Sequence, residues 1–237
     1  MTGNFIYKYA DDTCIIIPAS NVQSREAELR HVEKWAQRNN LKLNRAKSVE
    51  IIFKDRRCKS QIPNPPTLPD IQRVTLIKIL GVTFTSHLSM SEHVRDIIGK
   101  CGQVIYALKV LSTHGMSANA LREIYRSVAL AKLLYASPAW WGYTTVSDKQ
   151  RIEAFIRRGV RLGLYCVDDP TPTQLAEDAD ETLFSSMTYN QCHVLHQFLP
   201  DVNSHHYSLR PRRHNFTLPI KGDGRNFITR QLFANIY

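Results

Sequence analysis

The stretch FIYKYADDTCIIIP, residues 5 to 18, places two adjacent carboxylates between two short runs of strand-forming residues. Aromatic and β-branched side chains dominate both runs, and the Ala-Asp-Asp sequence between them is typical of a turn. The pattern therefore predicts a β-hairpin with strands at residues 5 to 9 and 13 to 17 and with Asp11 and Asp12 at its tip.

The adjacent residues Asp11 and Asp12 allow two interpretations. Aspartate is common in turns because its carboxylate bonds to nearby backbone groups, so the pair fits an ordinary solvated loop tip. Two carboxylates held side by side also repel each other, and a hard divalent cation that prefers oxygen ligands removes this repulsion. The second interpretation predicts a Mg²⁺ or Mn²⁺ site of the kind that supports phosphoryl transfer.

Helix and strand patterns alternate after the hairpin. Apolar residues recur at helical spacing over residues 21 to 39, and residues 49 to 53 have the pattern of a strand. Four prolines within residues 62 to 70 predict an extended connector. A strand pair over residues 74 to 84 follows, in which Gly81 marks either a bulge or a close backbone approach.

The chain then becomes helical. Apolar residues at intervals of three or four predict three amphipathic helices between residues 90 and 160, which favours a bundle. The pattern after residue 165 is irregular, with an acidic stretch at 167 to 181 and a basic stretch at 208 to 231. We therefore predict an α+β fold with three segments: residues 1–86, 87–165 and 166–237.

The chain has a net charge of +10, and the surplus lies in its first two thirds. Residues 61 to 164 hold 13 basic and 6 acidic side chains, whereas residues 165 to 237 hold 6 and 8. Clustered basic residues bind nucleic acid by releasing counterions from phosphates, although a merely solvated basic surface has the same composition. On the predicted helices the basic residues include Arg95, Lys100, Lys109, Arg122 and Arg126.

Two further signals concern the aromatic residues and the compartment. Trp140 and Trp141 fit base stacking or, more commonly, a core position. No apolar run approaches the roughly 20 residues that span a bilayer, and the five cysteines are scattered, which argues against a disulfide framework. The sequence predicts an intracellular protein of the nucleus or cytoplasm, without a signal peptide or a membrane partner, and it indicates no oligomeric state.

Four segments, in order, resemble the reverse transcriptases of non-LTR (LINE-type) retrotransposons. YADD at residues 9 to 12 resembles the catalytic hairpin, and EKWAQRNNLKLNRAKSVEIIF at 33 to 53 resembles the helix and the L-x-L-N-x-x-K-[ST] segment after it. KILGVTFTSHLSMSEHV at 78 to 94 resembles the primer-grip strands, and YASPAWWG at 135 to 142 resembles the region beyond the thumb. The resemblance implies a partial polymerase palm, a helical thumb bundle and an irregular C-terminal extension.

The resemblance also implies roles in RNA-directed DNA polymerisation. Asp11 is similar to the invariant metal ligand and Asp12 to its neighbour, which implies that both bind Mg²⁺ or Mn²⁺ for two-metal nucleotidyl transfer. Lys47 resembles a lysine near the nucleotide phosphates with a general-acid role towards pyrophosphate, and Asn44 resembles the turn residue that presents it. The residues that resemble contacts to primer and template are Tyr9, Ala10, Leu80, Gly81 and Val82.

Ordinary structural roles remain open for two of these residues. Lys47 also fits an exposed cation, and Gly81 also fits an ordinary hairpin glycine. In the family, another metal-binding aspartate and the fingers precede the catalytic hairpin, whereas eight residues precede Tyr9 here. We therefore expect an N-terminally truncated polymerase that is inactive alone. Its expected partners are an RNA template, a DNA primer and, in the intact family, deoxynucleotides; the alternative is a non-catalytic nucleic-acid-binding remnant that uses the basic thumb.

Overall fold

The computed structural model describes residues 3–54, 63–202, 213–220 and 223–234. It is 53% helical and 12% strand, which confirms the predicted mixture of helix and strand. The chain divides into two compact units, Met1–Ile77 and Lys78–Tyr237. The predicted thumb and C-terminal extension therefore belong to one unit. None of the helices in the described ranges has the length and apolar character that a membrane span requires.

The first unit begins with the predicted hairpin. Strand β1 (Phe5–Tyr9) pairs antiparallel with β2 (Asp12–Ile16), and the register places the last residue of β1 opposite the first residue of β2. The turn therefore contains only Ala10 and Asp11. Asp12 belongs to the second strand, so the predicted start of that strand at residue 13 was late by one position.

The rest of the first unit is a helix and a short parallel strand pair. A 3₁₀ turn (Ala19–Ser24) leads into helix α1 (Arg25–Arg38), close to the predicted helix. Strand β3 (Val49–Ile51) pairs in parallel with β4 (Gln72–Val74). The strand expected from residue 74 onward is thus divided, because its first residue already pairs with β3.

One carboxylate connects these elements. Glu50 on β3 accepts a hydrogen bond from Arg25 Nη1 on α1 at 2.5 Å and another from Arg73 Nη2 on β4 at 2.7 Å. All three side chains are largely shielded from solvent, which makes these charge-assisted bonds stronger than exposed ones. The network stabilises a strand pair that is too short to be stable alone.

The unit boundary falls within β5 (Leu76–Ile79), which forms a second hairpin with β6 (Val82–Thr85). Its two turn residues, Leu80 and Gly81, have φ angles of +45° and +90°. Positive φ at both positions is the pattern of a type I′ turn, which suits the twist of a two-residue hairpin. Gly81 occupies this conformation without strain, whereas the same left-handed backbone costs Leu80 roughly 1–2 kcal/mol of conformational energy.

Replacing Leu80 by Asn should raise the free energy of unfolding by about 0.5–1 kcal/mol. Asparagine tolerates the left-handed conformation, and Leu80 is 46% exposed, so little apolar burial is lost. Urea denaturation measures the change. Leu80→Ala keeps the strained backbone and serves as the control. A gain from Ala equal to the gain from Asn would contradict the assignment of strain to this residue.

The second unit is otherwise helical. Its helices are α2 (Ser91–Thr113), α3 (Ala118–Ile124), α4 (Ala131–Leu133), α5 (Ser137–Trp140), α6 (Val146–Arg161), α7 (Pro172–Tyr189) and α8 (Phe227–Leu232). The buried side of α2 contributes Val94, Ile97, Cys101, Ile105 and Leu108 to the core. Trp140 and Trp141 are buried in the same core, which confirms the core interpretation of this pair.

A π-helical turn, Tyr125–Leu130, joins α3 to α4. The buried residues Leu121, Tyr125, Ala129 and Leu133 follow one another at intervals of four. Twelve residues of ideal α-helix would rotate the last of them about 120° away from the first, at about 100° per residue. The wider π turn rotates less per residue, so all four side chains reach the core.

The prediction of an irregular C-terminal segment was wrong for residues 172 to 189, which form α7. A capping box begins this helix: Thr171 Oγ1 accepts a hydrogen bond from Gln174 N, and Gln174 Oε1 accepts one from Thr171 N at 2.8 Å. Pro172 occupies the first helical position, where its missing N–H costs nothing.

Candidate functional site

The predicted carboxylates lie at the end of the β1–β2 hairpin. Asp11 is the second turn residue, and Asp12 begins β2 directly opposite Tyr9; both carboxylates are exposed. Opposed residues of an antiparallel pair project from the same face, so Asp12 and the 67% exposed Tyr9 side chain share a face. The hairpin thus presents a carboxylate and an aromatic ring together.

Ala10, the first turn residue, has a φ of +51°. A residue with a Cβ adopts this left-handed conformation at a cost of roughly 1–2 kcal/mol. The strain allows a turn of only two residues, and it keeps Asp11 at the tip and Asp12 within the strand ladder. Ala10, which the resemblance placed among the contacts to primer and template, therefore has a structural role in positioning the two aspartates.

The negative charge of Asp12 extends along its face of the hairpin. Cys14 lies two residues further along β2 on the same face, and burial is the main cause that raises the pKa of its thiol. The Asp12 carboxylate raises this pKa further, because a second negative charge beside it is unfavourable.

The opposite face of the hairpin contacts α1. Lys8 Nζ lies 4.7 Å from the centre of the Trp35 ring, a cation–π distance. Because neighbouring strand residues project to opposite faces, this contact leaves the face of Tyr9 and Asp12 directed away from Trp35.

The two aspartates supply only part of a metal coordination shell. Within the described ranges, no group of three or more His, Cys, Asp or Glu side chains is placed to hold a metal ion. Mg²⁺ prefers six oxygen ligands and retains several waters when few are carboxylates. Two exposed carboxylates are compatible with such a weak, largely hydrated ion.

Lys47 lies at the end of a 3₁₀ turn, Arg45–Lys47, in the first unit. Asn44 begins this turn, and its Oδ1 accepts a hydrogen bond from Lys47 N at 3.2 Å, so Asn44 does fix the backbone that carries the lysine. The Lys47 side chain is exposed. No ion pair joins it to Asp11 or Asp12 in the described part of the chain, and its ordinary interpretation as an exposed cation stands.

The predicted primer-grip residues lie in the second unit, on the turn of the β5–β6 hairpin. A Cβ on Gly81 would lie 3.1 Å from Cε1 of Tyr135, so the close approach predicted for this glycine is to a side chain of the same chain. Val82 is 4% exposed and packs in the hydrophobic core. Its side chain is therefore unable to contact a nucleic acid, whereas Leu80 remains exposed.

A buried histidine beneath this hairpin was not predicted. His93 Nδ1 accepts a long hydrogen bond from Thr83 N at 3.4 Å, and its ring lies edge-on to Trp140 at 5.1 Å. Burial is the main cause that lowers its pKa, so the imidazole is neutral near pH 7. A single histidine in an apolar helical pattern carries no distinctive signal, which explains the omission.

Most of the basic residues expected to bind nucleic acid have partners within the chain. Arg95 pairs with Glu92, and Lys100 pairs with Asp96 at 2.6 Å. Arg126 binds Asp169 at 2.9 Å, and Arg122 Nε donates to the Gly163 carbonyl at 3.0 Å. Of the five, Lys109 alone has no hydrogen bond or ion pair to a described residue.

The β1–β2 hairpin lies in the first unit, and the turn of the β5–β6 hairpin lies at the start of the second. Comparison of the chain with protein-family models, curated proteins and solved structures gives no match.

Proposed function

We propose that this chain carries the catalytic hairpin, the primer grip and the thumb of an RNA-directed DNA polymerase of the non-LTR retrotransposon type. The observation that supports this most directly is the YADD hairpin, whose tip presents Asp11 and Asp12 to solvent beside the exposed Tyr9 ring. The deoxynucleotides, an RNA template and a DNA primer are its proposed ligands, and Mg²⁺ or Mn²⁺ is its proposed cofactor.

In the proposed reaction, Asp11 and Asp12 hold the cation through carboxylate oxygens. The bound metal would activate the primer 3′-hydroxyl and stabilise the departing pyrophosphate. Tyr9 offers an aromatic surface on the same face as Asp12, which suits contact with a primer or template base. Lys47, exposed at the end of its turn, would donate a proton to the pyrophosphate.

The proposal includes a further palm segment that packs on the hairpin and supplies a third carboxylate. Phe5 and Ile6 project from opposite faces of β1, and each is about half exposed. Strands that are apolar on both faces are typical of a sheet that is covered on both sides. The additional segment would also supply the fingers, which position the incoming nucleotide and contribute much of the rate enhancement.

A primer-extension assay on an RNA template tests this function. The assay compares the chain alone with the chain mixed with a separately expressed fingers and upstream palm segment of a related polymerase. We expect extension from the mixture and none from the chain alone. Asp11→Asn/Asp12→Asn should abolish extension by the mixture, because it removes the carboxylates that hold the cation.

The matched control is Asp168→Asn/Asp178→Asn, which removes two exposed carboxylates from the second unit and should preserve extension. Extension that survives in the Asp11/Asp12 variant would overturn the assignment of the metal ligands. Extension by the chain alone that is lost in that variant would show that no third carboxylate from another segment is required.

The second candidate function is non-catalytic nucleic-acid binding. The net charge of +10 and the exposed basic residues of the second unit favour it. Two results together would favour this function. The parent chain and the Asp11→Asn/Asp12→Asn variant would both bind duplex tightly, and neither would support extension in the mixture. Both functions suit an intracellular protein with reduced thiols; Cys14, Cys101, Cys166 and Cys192 are free.

A further inference from the structure

Helix α6 has a buried face and a strongly basic face. It begins with a capping box at Thr145 and Asp148, and the Asp148 carboxylate also accepts a hydrogen bond from Ser91 Oγ at the start of α2, at 2.8 Å. The buried side contains Ile152, Phe155, Ile156 and Gly159. Four exposed arginines make up what we call the arginine face: Arg151, Arg157, Arg158 and Arg161.

The four arginines occupy one side of the helix. At about 100° per residue they fall within a sector of about 120°, opposite the buried residues. The two acidic residues of α6, Asp148 and Glu153, lie outside this sector. The arginine face therefore concentrates positive charge along one line rather than alternating it with negative charge.

The arginine face has little compensation within the chain. Arg158 and Arg161 make no side-chain hydrogen bond or ion pair with any residue in the described ranges. Arg151 and Arg157 approach carboxylates only at 3.7 Å and 3.9 Å, and each is exposed. The exposed Arg157–Glu153 pair contributes little at this distance. The Asp148 carboxylate beside Arg151 is buried, but its Oδ2 accepts shorter hydrogen bonds from Thr145 and Ser91.

The acidic stretch after residue 166 is not the partner of these arginines. Its carboxylates Asp169, Asp180 and Glu181 bind Arg126, Arg230 and Arg213 respectively. Two of these pairs join the acidic stretch to the basic stretch at residues 208 to 231, and none involves α6, so the charge of α6 remains available.

The helix macrodipole explains only part of this arrangement. Cations in the last turn are favoured by roughly 0.3–1 kcal/mol, which accounts for Arg158 and Arg161. Arg151 lies too far from the C-terminus to benefit. Like charges three or four residues apart repel each other, so the row is unfavourable until an external anion binds it.

We infer that the arginine face of α6 binds the phosphate backbone of double-stranded nucleic acid. Residues 151 to 161 span about 15 Å of helix, a length that corresponds to roughly four to five phosphates of one strand when measured along the duplex axis, at 3.4 Å of rise per nucleotide. Guanidinium groups bind phosphate oxygens in a bidentate manner, which favours Arg over Lys at such positions. The apolar face of α6 is buried in the core, so it is not a membrane-inserting helix.

This surface lies in the second unit and does not depend on Asp11 and Asp12. It lies within the predicted thumb, residues 87–165, but the sequence expectation named five other basic residues there. All of those except Lys109 have partners in the described ranges. The inference therefore concerns a separate binding surface, which either of the two candidate functions would use.

The test measures binding of the full chain to a fluorescent duplex by anisotropy over a range of salt concentrations. Arg158→Gln/Arg161→Gln should weaken binding about sixtyfold at 0.1 M salt and reduce the slope of log K against log salt by about 2, since each phosphate contact contributes about 0.9. Arg158→Lys/Arg161→Lys should retain the slope. The matched control, Arg95→Gln/Lys100→Gln, removes two paired cations and should change neither quantity appreciably.

Equal losses in the α6 variant and in the control would overturn the inference, because net charge alone would then explain binding. Equal or tighter binding of a single strand would overturn the assignment to a duplex. If the parent chain does not bind the duplex, the role of the arginine face and the assignment to a duplex are both wrong. Circular dichroism and thermal unfolding check that each variant is folded. The two proposals fail separately: loss of extension with duplex binding intact would overturn only the polymerase proposal, whereas duplex binding that is insensitive to the α6 substitutions would overturn only this one.

Discussion

Arg230→Ala should lower the free energy of unfolding by about 3–5 kcal/mol at pH 7, since it leaves a buried charge without its counter-charge. Asp180 on α7 is 2% exposed, and its Oδ2 accepts hydrogen bonds from Arg230 Nη2 at 2.7 Å and Nε at 3.0 Å. Gln231 Nε2 adds only a longer bond of 3.3 Å. The other oxygen, Oδ1, has no partner among the described residues.

The deficit of Arg230→Ala should shrink as the pH falls. Burial is the main cause that raises the pKa of Asp180 above its ordinary 3.8, and the bonds from Arg230 oppose this rise. Without the guanidinium, the pKa of Asp180 should rise further. A folded-state pKa above the unfolded one means that the folded state binds the proton more tightly. The contribution of Asp180 to stability is therefore greatest below about pH 4, and it is lost as the pH rises through the folded-state pKa of this group.

Urea unfolding at several pH values, with parent and variant compared at each, measures this deficit. Asp180→Asn/Arg230→Ala should recover part of the loss at pH 7, because the amide carries no charge to leave uncompensated. Arg126→Ala is the control: its pair with Asp169 is partly exposed, so its loss should be about 1 kcal/mol or less. A deficit of the same size at every pH would contradict the role of the Asp180 charge.

Gly159→Ala should destabilise the second unit by about 2–3 kcal/mol through overpacking. A Cβ on Gly159 would lie 2.4 Å from Oη and 2.7 Å from Cζ of Tyr125. The Tyr125 ring is fully buried and stacks on Phe155 at 6.3 Å, so it has no space into which it can move. Thermal or urea unfolding measures the loss.

Gly99→Ala provides the matched control for this substitution. Gly99 also lies inside a helix, but a Cβ there meets nothing within 4 Å, so alanine should stabilise by about 0.8–1 kcal/mol. Tyr125→Phe should reduce the loss caused by Gly159→Ala, because it removes a buried hydroxyl that has no partner among the described residues. Changes of the same sign in the two glycine variants would contradict the steric explanation.

Local patterns predicted the elements whose determinants are local. The β1–β2 hairpin and helices α1, α2 and α6 follow from residues that alternate or recur every three or four positions. The pairing of β3 with β4 was not predicted, because the two strands lie on either side of the proline-rich connector and the sequence of neither strand indicates its partner. Asp180 explains why α7 was missed: it occupies a buried position among apolar residues, where an acidic residue interrupts the expected stripe.

The candidate site was only partly predictable for similar reasons. The sequence placed Asp11 and Asp12 on a hairpin, because the strand pattern and the turn residues are contiguous. The burial of Val82 and the approach of Tyr135 to Gly81 depend on residues distant in the chain. Likewise, composition counts cations but does not indicate which of them are paired, and so the unpaired face of α6 was not apparent.

The π turn at Tyr125–Leu130 also bears on how this chain may be aligned with others. Loss of any one residue between Tyr125 and Ala129 would change the intervals between buried positions from four, four and four to four, three and four. That is the ordinary spacing of an α-helix, which would keep the same core with one residue fewer. The turn thus accommodates a one-residue insertion, and an alignment with a shorter relative should place its gap inside this helix rather than in a neighbouring loop.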